Sequence, residues 1–139
     1  MDIRIKSSLY SEKELLVDLL KHLDEQYSAL LSQEKDAVDI CTISEKIDAI
    51  VKEIALTEIE RRKIISNDEL IVLIDSLNNQ EYIDLVREIS RLKKLIDKQN
   101  EINSAFIKQN LFFTRKMLKM ITPSEKFGTY NSAGRIGTK

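Results

Sequence analysis

The sequence predicts an all-α protein: an elongated antiparallel bundle of three long helices plus a short connecting helix, with coiled-coil-like packing, a very long C-terminal helix and a flexible tail. Three observations carry this. Of 139 residues, 32% are charged and 42% hydrophobic, with three Gly, one Pro and no Trp, the composition of long helices rather than of a sheet. No stretch alternates with period two, so no strand is expected. Finally, Asn78 to Ile121 contains neither Gly nor Pro, the two residues least tolerated inside a helix. Read as one helix of about 43 residues it spans roughly 65 Å, more than a compact domain of this size accommodates.

In chain order, residues 1–10 read as a lead-in and Ser11-Glu12-Lys13-Glu14 as a capping box. The first helix then runs from about Glu12 to Ser32. Its seam, Leu15, Leu16, Leu19, Leu20, Leu23, Tyr27, Leu30 and Leu31, steps by three and four residues. Gln33 to Asp36 breaks the stripe, and a short turn of helix fits Ala37-Val38. The second helix starts at Ser44, or already near Asp39, and runs to about Ile65. Ile43, Ile47, Ile50, Val51, Ile54 and Ile64 lie on one side, with Thr57 and Arg61 on the same seam. Glu58, Glu60, Arg61, Arg62 and Lys63 read as a solvated charged end with i,i+4 pairing. Ser66-Asn67-Asp68 is a turn signal. Glu69 to Leu77, with Leu70 to Ile74 as a continuous apolar run, reads as the short connecting helix. Such short connections make neighbouring helices antiparallel.

The long helix is expected to open at Asn78, with Glu81 reaching back, and to stop before Pro123. Its first half has one apolar stripe, Tyr82, Leu85, Val86, Ile89, Leu92 and Ile96. The second half has two. Phe106, Phe113, Met117 and Met120 form one; Ile107, Leu111, Leu118 and Ile121 form the other; Ala105 and Phe112 widen the arc, and Lys108, Arg115, Lys116 and Lys119 share the remaining face. A helix apolar over most of its circumference is buried on more than one side. Either the chain's own first two helices cover both stripes, or a partner covers one. Asn103 and Asn110, seven apart, follow Ile96 in the same row; they set register, as buried Asn does in coiled coils, or bond a partner's backbone. Domain boundaries are expected at 1–122 for the bundle and 123–139 for the tail, which holds the only Pro and all three Gly. Phe127, Tyr130 and Ile136 on that tail are docking residues or fold back onto the bundle.

Net charge is −1 but uneven. Residues 1–107 hold 15 Lys+Arg against 22 Asp+Glu, net −7, whereas residues 108–139 hold 7 against 1, net +6. The basic end lacks the Arg density and Gly-aromatic motifs of an RNA binder, so nucleic acid is not expected, and an acidic protein partner fits equally. The lone Cys41 allows no intrachain disulfide and reads as a small buried residue in a reducing compartment. The start is not a signal peptide and no apolar run spans a bilayer, so a cytoplasmic protein without membrane insertion is expected. His22 is the only histidine, read as a helix-surface residue with no second ligand at metal spacing. Phosphate loops and dinucleotide patterns are absent. No cofactor, no metal, no catalytic residues and no enzyme activity are expected.

Four stretches together resemble the FlgN family of cytosolic export chaperones for the flagellar hook–filament junction proteins. They are Leu23-Asp24-Glu25-Gln26-Tyr27-Ser28-Ala29-Leu30-Leu31, then Glu58-Ile59-Glu60-Arg61-Arg62-Lys63-Ile64-Ile65. Next come Gln99-Asn100-Glu101-Ile102-Asn103 with Leu111 and Leu118, and last Thr129-Tyr130-Asn131-Ser132-Ala133-Gly134-Arg135. The resemblance implies an all-helical bundle whose long last helix binds the helical, polymerisation-prone C-terminal end of a hook-associated protein, preventing its assembly or aggregation. It also implies a tail that engages the flagellar type III export gate, with Tyr130 as the matching aromatic. The wealth of Phe and Met in the last helix departs from the family pattern. On this reading Asn103, Phe106, Asn110, Phe113, Met117 and Met120 are the partner-binding residues, and Phe127 and Tyr130 dock at the gate. The alternative is a structural coiled-coil subunit that self-associates through the second stripe; a homodimer is compatible with either.

Overall fold

The computed structural model describes residues 1–32 and 37–121, and gives the backbone alone for 37–38, 110–115, 117–118 and 121. The described residues form four helices, α1 (Ile3–Leu31), α2 (Ala37–Ile64), α3 (Asn67–Leu77) and α4 (Gln80–Ile121), and no strand. The all-α bundle read from composition and periodicity is the observed fold. The chain separates into two compact units, Met1–Asn103 and Ser104–Lys139, with the division inside α4.

Helix α1 begins nine residues earlier than the sequence suggested. Asp2, not Ser11, is its cap: the Asp2 carboxylate accepts the Arg4 backbone N–H at 2.8 Å and the Arg4 guanidinium at 2.9 Å. Those bonds hold the Asp2 carboxyl below the usual range, the Arg4 side chain first. The lead-in is helical because Ile5 and Leu9 continue the leucine stripe and are buried with it. Glu12, read as part of a capping box, lies in mid-helix and is buried.

Helix α2 is continuous from Ala37, so the turn expected around Ala37-Val38 is its first turn. Its apolar side is narrower than expected. Ile50 is buried and Ile43, Ile47 and Ile54 are half-buried, but Val51 and Ile64 are exposed. Cys41 is exposed rather than buried. The break read at Gln33 to Asp36 lies outside the described residues.

Ser66 ends the turn and caps α3. Its hydroxyl accepts the Glu69 N–H at 3.2 Å while the Glu69 carboxylate accepts the Ser66 N–H at 3.1 Å, a reciprocal capping box. The paired donors lower the Glu69 carboxyl pKa. Asn78 closes α3 instead of opening α4. It takes a left-handed conformation at φ 49°, which Asn tolerates better than most residues. Asn79 caps α4, its side chain accepting the Glu81 N–H at 2.9 Å. The cap moved by one residue because the tight α3–α4 turn needs a left-handed residue first.

The core of the Met1–Asn103 unit joins Ile5, Leu9, Leu16, Leu19 and Leu23 of α1 to Ile50 of α2, Leu70 and Ile74 of α3, and Leu85, Ile89, Leu92 and Ile96 of α4. Four residues of the stripe predicted for the first half of α4 are buried; Tyr82 and Val86 flank them half-buried. Cross-contacts give the helix directions. Gln26 meets Ser44 and Glu12 meets Arg61, so α1 and α2 are antiparallel. Lys6 lies over Tyr82, Glu12 meets Lys93 and Leu23 meets Asn103, so α1 and α4 run parallel, with α2 opposed to both. The three long helices therefore run up, down and up, with α3 between the second and the third in the chain.

Candidate partner-binding surface

Two polar layers cross the core of this unit, with Leu16 and Leu19 of α1 between them. The lower is ionic. Glu12 of α1 is fully buried and Arg61 of α2 is 6% exposed. The Arg61 guanidinium lies 2.8 Å from Glu12 Oε1, and its Nη1 also donates to Ser8 at 3.1 Å. Lys93 of α4 lies 3.2 Å from Glu12 Oε2 and 2.6 Å from the Glu58 carboxylate of α2. Each of three helices thus contributes a charge. Although both Glu12 oxygens are at ion-pair distance, neither accepts a well-directed hydrogen bond, and the Arg61 Nε has no acceptor. Burial, then the neighbouring Glu58 carboxyl, push the Glu12 pKa up against the pull of Arg61 and Lys93. The Glu12 contact, then Lys93, hold Glu58 below the usual range. Glu58 and Arg61 were expected on a solvated face. Only Glu60 with Lys63 at 3.0 Å, and Arg62 toward Glu58 at 3.7 Å, fit that description.

The pH slopes of the two carboxyls oppose each other. A raised folded-state pKa gives stability that is full below the ordinary Glu value and lost as pH rises through the shifted one. A lowered pKa gives stability present above the ordinary value and lost as pH falls through the shifted one. As acid is added, Glu12 therefore takes up its proton before Glu58. Side-chain carboxyl NMR titration should place the Glu12 inflection above the ordinary Glu value and that of Glu58 below it.

The upper layer is neutral. Asn103 is 1% exposed. Its amide donates to the Leu23 carbonyl and to Gln26 Oε1, both at 2.9 Å, and its oxygen accepts from Gln99 at 2.9 Å. Gln26 in turn donates to Ser44 at 3.3 Å. Of the two roles open to Asn103 in the sequence, this is register: its side chain is used inside the bundle. Asn103→Ala strands the Gln26 acceptor in the core and should lower the unfolding free energy by about 1–3 kcal/mol, read by urea denaturation. His22 is half-buried rather than on the surface; its Nδ1 lies 2.8 Å from the Asp18 carbonyl.

Past Asn103 the helix continues to Ile121. Ala105, Ile107, Lys108, Lys116, Lys119 and Met120 are exposed there, Met120 at 84%, and Phe106 is half-buried. The side chains of Asn110, Leu111, Phe112, Phe113, Met117, Leu118 and Ile121, and the whole of Phe127 and Tyr130, lie outside the described residues. Among the described residues there is no His, Cys, Asp and Glu cluster that could hold a metal ion, and no helix long and apolar enough to cross a membrane.

Residues 1–137 match the family model described as FlgN protein. The chain belongs to the FlgN family. FlgN proteins are flagellar export chaperones, a family of chaperones rather than of enzymes. The match runs through the second half of α4 and the tail, so the segment carrying exposed apolar and basic side chains is part of the FlgN pattern. No curated protein and no solved structure matches the chain.

Of the residues that sequence reasoning missed, Glu12 is the clearest. It was legible as a charge at a seam position: Leu9, Glu12, Leu16, Leu19, Leu23 and Gln26 step by three and four, and all six are buried. Gln26 carries the same signal.

Proposed function

We propose that this FlgN-family chain is a cytoplasmic chaperone whose 104–121 segment binds the C-terminal helical region of hook-associated proteins of the hook–filament junction. It holds them unassembled and delivers them to the flagellar export gate. The observation that carries the reading is the character of α4 beyond Asn103. The helix continues, Met120 is 84% exposed, Ile107 one residue past Phe106 is exposed too, and lysines share the surface. An exposed apolar helix face marks a binding surface, and a subunit that polymerises through helical ends is blocked when such a face covers one of them. Helix-in-groove or helix-against-helix packing is the natural mode. Met suits it, because its unbranched side chain adapts to the partner's shape. Phe106, Phe113, Met117 and Met120 are the apolar contacts and Asn110 a polar one, while Asn103 acts from within the bundle by holding α4 in register. Phe127 and Tyr130 are the gate-docking aromatics. Release needs no chemistry in this chain; the export machine drives it.

Truncation after Ile121 separates the two activities. The shortened chain should bind a hook-associated protein with unchanged affinity and lose binding to the export gate, both read by calorimetry on purified components. Loss of the hook-associated protein together with the tail, or gate binding without the tail, would contradict this division of labour.

A further inference from the structure

The client reading leaves α3 unused, and α3 carries an unusual surface. Its inner side, with Leu70 and Ile74 buried and Leu73 packed against them, belongs to the core. Its outer side is not inert. At about 100° per residue, Ile71, Asp75, Asp68 and Val72 fall within roughly one-third of the circumference, and all four are exposed, Ile71 at 58% and Val72 at 67%. An isoleucine and a valine on an outward face, with two carboxylates between them around the helix, make an amphipathic docking strip rather than a solvated surface. Along the sequence beside it the charge has one sign. From Ile64 to Val86 the chain holds Asp68, Glu69, Asp75, Glu81 and Asp84, and not one Lys or Arg.

The complement of this strip is present in the same sequence. Residues 108–121 hold Lys108, Arg115, Lys116 and Lys119 and no acid. They belong to α4, and helical spacing puts Lys108, Arg115 and Lys119 within about 40° of arc. Lys108 and Lys119 are exposed, and Met120 beside them is the most exposed large apolar residue described. We infer that the outward face of α3 docks the basic helical end, residues 104–121, of a second copy of this chain. Apolar side chains of that end cover Ile71 and Val72, while Lys108 and Lys119 face Asp68 and Asp75. Each copy offers both surfaces, so two copies can exchange the contact reciprocally and close the pair, as homodimers do. A strip of this size supports weak, transient association, below the area of a stable interface. Its charged pairs are solvent-exposed and attract the approaching copy over a Debye length of about 8 Å at physiological ionic strength, so the association weakens as added salt shortens that length. The inference does not depend on what the client is.

Sedimentation equilibrium on the full chain tests it. The wild type should self-associate and do so more weakly as salt rises. Asp68→Lys with Asp75→Lys should raise the dissociation constant by at least about tenfold, and so should Lys108→Glu with Lys119→Glu on the other surface. All four positions are exposed, and the Ser66–Glu69 capping box is untouched. Mixing the two variants should restore the dimer, because every contact in the mixed pair again joins opposite charges. A wild type that stays monomeric overturns the inference. So does association unchanged in either variant, or a mixture that remains monomeric. The Asp68→Lys, Asp75→Lys variant keeps residues 104–121 intact, so its binding to a hook-associated protein reports on the client reading separately.

Discussion

Arg61→Met is expected to destabilise the bundle by about 3–5 kcal/mol at neutral pH, because it leaves a carboxylate with no exposed surface short of its principal cation. The comparison that gives this meaning is the double variant Glu12→Leu, Arg61→Met. Removing both charges, with side chains of similar volume, should restore wild-type stability or exceed it, since a buried ion pair with imperfect hydrogen bonds contributes little net stability. The geometry favours that outcome: neither Glu12 oxygen nor the Arg61 Nε has a well-directed partner. Lys93 keeps Glu58 at 2.6 Å in either variant, so α4 retains its own pair. The single variant has a pH signature. Glu12 already holds its proton above the usual carboxyl range, and loss of the Arg61 cation raises it further. Its penalty is therefore full at high pH and relieved as pH falls and Glu12 is neutralised. Urea denaturation of the variants at about pH 7 and about pH 5 should show the Arg61→Met deficit shrinking in acid. A deficit independent of pH would mean that lost packing, not the stranded charge, is responsible.

Replacing Phe106, Phe113 and Met117 together by Ser is expected to weaken binding of a hook-associated protein by at least about 100-fold, with the bundle's denaturation midpoint unchanged. The magnitude follows from the way helix-face interfaces concentrate affinity in a few apolar anchors. The unchanged midpoint is expected because, among the described residues, the last large apolar core residue on α4 is Ile96 and the last buried one is Asn103. Calorimetric titration and urea denaturation of the same sample check both halves. A variant that loses its bundle along with its client would show that these side chains belong to the chain's own core.

Much of the fold was legible in the sequence, and the misses share a cause. Apolar steps of three and four gave α1, α2 and the first half of α4, because burial of one face dominates helix placement. Capping was read less well. Ser11 and Glu14 have the spacing of a capping box, but Ile5 and Leu9 extend the stripe toward the N-terminus and the core outweighs a local cap. Asn78 and Asn79 are equivalent in composition, and only the chain reversal after α3 decides that the first turns left-handed and the second caps. Glu12 reads locally as part of a capping box, and Arg61, though on its helix's seam, as part of a solvated charged end; their pairing joins residues 49 positions apart that no local pattern connects. Asn103 was legible as a seam amide, but its hydrogen bonds to Leu23 and Gln26 required the parallel placement of α1 and α4. Of the proposed partner-binding surface, the doubled apolar arc and its basic edge are legible in the sequence, and the structure adds the exposure of Ile107 and Met120.

The most direct test is co-purification of the full chain with a hook–filament junction protein, intact and lacking its C-terminal helix. The account predicts a complex with the intact protein and none with the shortened one, placing the contact at the polymerising end. Equal capture of both forms, or of neither, would contradict it.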